Sequence, residues 1–259
     1  TPAKGILGSP WVGLKHFHTF FTGPYAFRLI RNTFLISFYE LIFGFPAPLL
    51  LAILLNEILA TRYKRVIQTL SYLPHFISLV VICALIKNFT ASTGLVNDII
   101  AFFFGEKARS TLLQDPSNFR TVYVVSGIWQ GVGWGSIIYL AAISKIDQQL
   151  YEAAIIDGAG RFARMVHVTL PGILPTIIIM LILRMGSLMS VGFEKVFLLY
   201  NTGIYETADV ISTYVYRRGI IDTDWSFSAA VGLFNSIVNF ILVVTANFIS
   251  RKVSETSLW

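Results

Sequence analysis

Two charged residues stand deep inside stretches of sequence that are otherwise apolar enough to lie in lipid. Arg184 falls in the apolar run 173–193, and Glu40, in the run 32–55, is the only acidic residue within any such run. A charge facing lipid costs roughly 2.5–3.5 kcal/mol on insertion scales, so intramembrane charges pair with one another or face a wet cavity. Sequence leaves both outcomes open. Arg184 can line a pathway and offer a carboxylate a charge-assisted hydrogen bond where water competes poorly, or Glu40 can neutralise it. Helical spacing would place Ser187, Leu188 and Val191 on the face of Arg184. A second face combines Gly127, Gln130, Gly131 and Trp134, an open backbone with an amide and an aromatic plate; the alternative for Gln130 and Trp134 is helix-packing glue plus an interface anchor. Asn235 and Asn239, four residues apart, read as interhelical hydrogen-bond formers, with a pathway role as the alternative.

Other chemistry is poorly supplied. Cys83 is the single cysteine, and His16, His18, His75 and His167 are scattered over different segments, so no metal site is implied. The apolar runs hold no paired carboxylate, Ser/His or His cluster, which argues against an intramembrane enzyme. The chain has no Gly-x-x-x-x-Gly-Lys-Ser/Thr loop, so ATP hydrolysis and its Mg have no place in it and no cofactor is expected.

The elements that position these residues follow from composition. Of 259 residues 55% are hydrophobic and only 13% charged, against about 25% charged in soluble domains, so the chain is a polytopic, all-helical membrane protein. Five runs have spanning length: 32–55 with Gly44, Pro46 and Pro48 as a kink; 66–89 with Pro74; 122–143 with a small-residue repeat at Gly127, Gly131 and Gly135; 173–193; and 227–249. The piece 95–104 is too short to span and is expected along the membrane surface. The segments near 56–65, 144–171 and 250–259 hold 8 basic residues in about 48 positions, against 11 in about 98 on the other side, which makes the first set cytoplasmic. The expected organisation is an extracytoplasmic segment 1–31, a transmembrane domain 32–249 with a cytoplasmic loop 151–171, and a cytoplasmic tail 250–259. On this count the start at Thr1 lies outside, which calls for an unusual exported start or one further helix upstream.

The loop 151–171 reads as a short helix, a left-handed break at Asp157-Gly158, and a second helix that Leu170-Pro171 should stop. Ile155, Ile156, Phe162 and Met165 would then be apolar on a loop, suited to a partner's groove or to lipid headgroups.

Glu152-Ala153-Ala154, Gly158 and Leu170-Pro171, with Val168 where Ile is usual, resemble the signature of the permease subunits of ATP-binding cassette importers, the MetI-like transmembrane domain. Ser71-Tyr72-Leu73-Pro74, Gly192-Phe193-Glu194-Lys195 and Ser257-Leu258-Trp259 resemble the branch that imports complex oligosaccharides. The resemblance implies a second homologous permease subunit, two ATPase subunits docked on Glu152, Ala153, Ala154, Asp157, Gly158, Leu170 and Pro171, and an extracytoplasmic solute-binding protein at the bacterial inner membrane. That protein would dock on 1–31, 90–120 and 194–226, with Tyr200, Asn201 and Tyr205 as contributors. The substrate pathway is expected at Gln130, Gly131, Trp134, Arg184, Ser187, Glu40 and Asn235, since sugar hydroxyls need hydrogen bonds and sugar C–H faces pack on rings. An unpaired Arg184, with Arg217 and Arg218 in a net charge of +6, points to acidic oligosaccharides such as alginate or pectin fragments. A permease for peptides or amino acids is the alternative.

Overall fold

The computed structural model describes residues 5–254, so expectations touching Thr1–Lys4 and Ser257–Trp259 lie outside the described residues. Those described form helices and connecting turns without strands. The helices of six residues or more are α1 (Lys15–Thr22), α2 (Ala26–Asn56), α3 (Thr61–Tyr72), α4 (Leu79–Thr90), α5 (Leu95–Phe104), α6 (Phe119–Ile143), α7 (Gln148–Ile156), α8 (Arg161–Met185), α9 (Phe193–Leu199), α10 (Ile211–Tyr216) and α11 (Trp225–Ser254). Among the described residues, five stretches can cross a membrane by length and composition: α2, 79–104, α6, α8 and the 225–252 part of α11.

The stretch 79–104 is not one straight helix. Ala91 and Gly94 are extended, with ψ of 157° and 165°, and they separate α4 from α5. The chain that runs antiparallel to α6 is instead 61–90. Ser71 on α3 lies against Gly133, while Ile82 and Cys83 on α4 share a buried cluster with Phe119 and Tyr123. The tight turn Leu73–Phe76, with Pro74 in its second position, breaks this run, which corrects the continuous helix expected over 66–89.

Prolines bend two other helices without ending them. In α2 the Phe45 N–H reaches back five residues to Glu40 O at 2.9 Å, a widened turn that moves the carbonyls Pro46 and Pro48 would otherwise strike. In α8 a like widening spans Met165–Thr169, so Leu170-Pro171 continues the helix where a stop was expected. The α8 helix then ends at Met185, and residues 186–190 form turns. Ser187, Leu188 and Val191 therefore do not extend the Arg184 helix face, and Leu188 and Val191 are core residues instead.

The post of the bundle is α6, which touches α2, α3 and α8. Its glycines act separately rather than as one packing stripe. The closest helix approach is at Gly133, outside the expected repeat, where an added Cβ would collide with the Ser71 carbonyl. Gly135 admits Pro48, with 2.9 Å between Pro48 Cγ and the Cβ position, and Gly131 faces open space.

The described loops gather at the two ends of α6, in the two sets that charge density separates. At the Phe119 end, Asn32 Nδ2 donates to Glu206 O (2.9 Å) and Asp209 O (3.0 Å), Asn201 Nδ2 to Leu113 O (3.0 Å) and Thr207 Oγ1 to Pro116 O (2.5 Å). At the Ile143 end, the α2 terminus meets the loop that carries α7.

Candidate functional site

The widened turn of α2 faces the glycines of α6 across a cavity of about 250 Å³ lined by Glu40, Gly44, Pro48, Gly127, Gly131 and Arg184. Arg184 donates to the Glu40 carboxylate in a close ion pair, with the two side chains 32% and 22% exposed. A lone Arg184 was the ground for an acidic substrate, and that ground falls. A second cation lies close by. Lys195 on α9 is buried, donates to Tyr123 O at 2.8 Å and lies 4.6 Å from the centre of the Tyr123 ring. A Cβ at Gly127 would stand 3.1 Å from Lys195 Nζ and 3.8 Å from Glu40 Oε1, so one carboxylate faces two cations across a bare glycine. Sequence reasoning passed over Lys195 because it follows the spanning run; only its place in Gly192-Phe193-Glu194-Lys195 marked it.

The other expected pathway residues disperse. Gln130 and Trp134 do not line this cavity. Trp134 stacks on His75 at 4.7 Å and meets Phe76 edge-on, in the contacts of a packing anchor. Ser187 Oγ donates to Arg184 O at the helix end. Asn239 accepts from Met189 N–H (2.8 Å) and donates to Ser190 Oγ (2.9 Å), whereas the buried Asn235 Oδ1 has no hydrogen-bond partner among the described residues. Arg217 and Arg218 are paired with Asp209 and with Asp222 and Asp224, which removes them as free cations. Burial pulls the Arg217 pKa down, but the Asp209 hydrogen bond and charge outweigh it and the net shift is upward. At the same end of the bundle, burial and the Tyr200 hydrogen bond push the Tyr205 phenol up. Asn201 caps its own turn by accepting from Gly203 N–H.

At the opposite end, Asp147 caps α7 by accepting from Gln149 N–H at 2.9 Å. The helix closes on Gly158, whose φ of +78° is the left-handed conformation the Asp-Gly pair announced. Tyr151 OH and Thr169 Oγ1, 3.0 Å apart, clamp α7 to α8. Glu152, Ala153, Ile155, Ile156 and Phe162 remain exposed, so the loop presents a surface that this chain does not cover. A polar cleft of about 560 Å³ beside it is lined by Asn56, Glu57, Gln148, Glu152, Arg161 and Arg164. Among the described residues no group of His, Cys, Asp and Glu could hold a metal.

A family model described as a binding-protein-dependent transport system inner membrane component matches residues 44–255. The chain belongs to this permease family. This permease is 46% identical to the protein LplB of Bacillus subtilis (strain 168), over all of this chain and 81% of that protein. It is likewise 46% identical, over all of this chain and 80% of the relative, to the polygalacturonan/rhamnogalacturonan transport system permease protein YteP of the same organism. Its fold superposes with a TM-score of 0.91 and 42% identity on a chain of a bacterial ABC transporter involved in the import of the acidic polysaccharide alginate, covering 98% of this chain and 88% of that one. A bacterial alginate ABC transporter in complex with an alginate pentasaccharide-bound periplasmic protein matches with the same TM-score at 43% identity, over 95% and 85% of the two chains. The permease is thus a multi-pass inner-membrane transport subunit and not an enzyme, and as a permease subunit it carries no cofactor of its own.

Proposed function

We propose that this permease is the membrane subunit of an ATP-driven importer of acidic oligosaccharides, uronate chains of the alginate or pectin type. The observation that carries the reading is the 0.91 superposition, at 42% identity, on a chain of an importer of the acidic polysaccharide alginate. The cavity adds a hydrogen-bonding wall, because the Glu40–Arg184 pair lines it and the buried Lys195 lies close behind Gly127.

In this reading the end of the bundle carrying α7 is cytoplasmic. There Glu152, Ala153, Ala154 and Asp157, with the turn at Gly158, seat in a groove of a partner ATPase, which supplies ATP and Mg. A second permease covers the open side of the cavity, and a second ATPase serves it. A solute-binding protein docks on the opposite end, on the loops tied together through Asn32, Asp209 and Asn201. Leu170 and Pro171 lie within α8, so movement of the ATPase reaches Arg184 along one helix, a rigid-body route to alternating access. No feature of the cavity suits a peptide's ammonium terminus beyond Glu40, which is already engaged by Arg184.

The deciding experiment reconstitutes the permease with its partner permease, ATPases and binding protein in liposomes. Uronate oligosaccharides should stimulate ATP hydrolysis and be taken up, and neutral oligosaccharides of equal length should do neither. Stimulation by peptides or neutral chains alone would remove the proposal.

A further inference from the structure

A second cavity, of about 470 Å³, opens beside the first toward the Phe119 end of α6. Its lining includes Tyr39, Phe43, Ser117, Arg120, Thr121 and Ile128, and it shares Val124 and Ile128 with the cavity of Glu40 and Arg184. The two cavities are consecutive along one helix. Arg120 precedes Gly127 by seven residues, so it stands about 10 Å nearer the outer end at 1.5 Å per residue.

Among the described residues at this end, Arg120 and Arg31 differ from the remaining arginines, and Arg31 donates to the Glu206 carbonyl at 3.3 Å and does not line this cavity. Arg28 and Arg217 pair with Asp209, and Arg218 with Asp222 and Asp224. Arg120 makes no ion pair; its Nη2 donates to the neutral Asn32 Oδ1 at 3.0 Å, and its buried Nε has no hydrogen-bond partner among the described residues. Asn32 is itself held by the carbonyls of Glu206 and Asp209, which fixes the direction of the guanidinium. The rings of Tyr39 and Phe43, 6.5 Å apart, and the hydroxyls of Ser117 and Thr121 complete a lining of aromatic faces, hydroxyls and one cation.

We propose that Arg120 is the outer carboxylate-reading station of a cationic track running alongside α6, from which an acidic sugar chain passes to Arg184 of α8 at the Glu40 cavity. The inference rests on the acidic-oligosaccharide reading above and adds a residue, a location and an order to it. A guanidinium with a free edge in a partly dehydrated cavity forms a charge-assisted bond with a carboxylate, and the neighbouring rings pack on the sugar C–H faces. Tight binding at one station would trap the chain. Two stations of moderate strength let one carboxylate engage before the other leaves.

The test uses the reconstituted complex, with uronate uptake measured over a range of oligosaccharide concentration and ATP hydrolysis measured without sugar. Arg120→Gln should raise the half-saturating concentration about tenfold, the value of one charge-assisted bond, and leave sugar-free hydrolysis unchanged. Arg120→Lys should recover part of the loss. Thr121→Glu, which keeps the Asn32 bond and places a carboxylate beside Arg120, should mimic Arg120→Gln. Unchanged uronate uptake in Arg120→Gln overturns the proposal, as does a loss shared by sugar-free hydrolysis while Thr121→Glu is silent. If the wild-type complex carries neutral chains and no uronate, the substrate reading itself fails and takes the track with it. If wild-type uptake of uronate is normal and the variants match it, only the track fails.

Discussion

Glu40 and Arg184, 144 positions apart in sequence, form an ion pair at the widened turn of α2. Neither charge is then exposed to lipid alone, and the pair ties α2 to α8 beside the cavity. Removing one partner leaves the other charge half-buried and unmatched. Glu40→Gln and Arg184→Gln should each destabilise the permease by about 1–3 kcal/mol, and the double variant should cost less than the sum of the two. Thermal unfolding of the detergent-purified complex, arranged as a double-mutant cycle, measures this; strict additivity would show that the pair carries no coupling.

Gly133 and Gly131 should respond oppositely to the same substitution. A Cβ at Gly133 meets the backbone of Ser71, which cannot yield as a side-chain end would, so Gly133→Ala should lose about 1–3 kcal/mol through overpacking. At Gly131 nothing lies within 4 Å of the Cβ position, and Gly131→Ala should leave stability unaltered while narrowing the cavity. Melting temperature together with uptake rate separates the two outcomes.

Gly158→Val should impair transport without loosening the bundle. The φ of +78° costs a branched residue roughly 1–2 kcal/mol, and nothing near the Cβ position clashes, so the strain stays in the loop. Uptake should fall while the permease still purifies with normal thermal stability. Gly160→Ala, in equally open space with an ordinary extended backbone, is the control and should transport normally.

Asp209 should be the least replaceable residue of the loops at the Phe119 end. Its fully buried carboxylate takes Arg28 at 3.3 Å, Arg217 at 2.7 Å and the Thr213 hydroxyl at 2.8 Å. Asp209→Asn leaves two guanidiniums facing a neutral group, and a loss of about 3–5 kcal/mol is expected for a broken buried network. Limited proteolysis should then cut within 194–226 at protease concentrations that leave the parent protein intact; unchanged cleavage would show the network to be dispensable.

The sequence by itself determined that five runs are long and apolar enough to span, and it marked the break at Asp157-Gly158, but the runs expected at 66–89 and 173–193 are displaced in the structure. Both readings rest on a local quantity, the length of an apolar run or a glycine beside an aspartate. The tertiary structure alone decided which polar groups meet. Whether Arg184 faces Glu40 or open space depends on the rotation and depth of two helices from distant parts of the chain, and residue spacing within one helix carries no such information. The same holds for Lys195, which sits on a separate short helix folded back against Tyr123, and for Pro171, whose effect depends on a widened turn before it. Helix periodicity placed Ser187 and Val191 beside Arg184 because it assumes an unbroken helix, and the turns after Met185 ended that assumption.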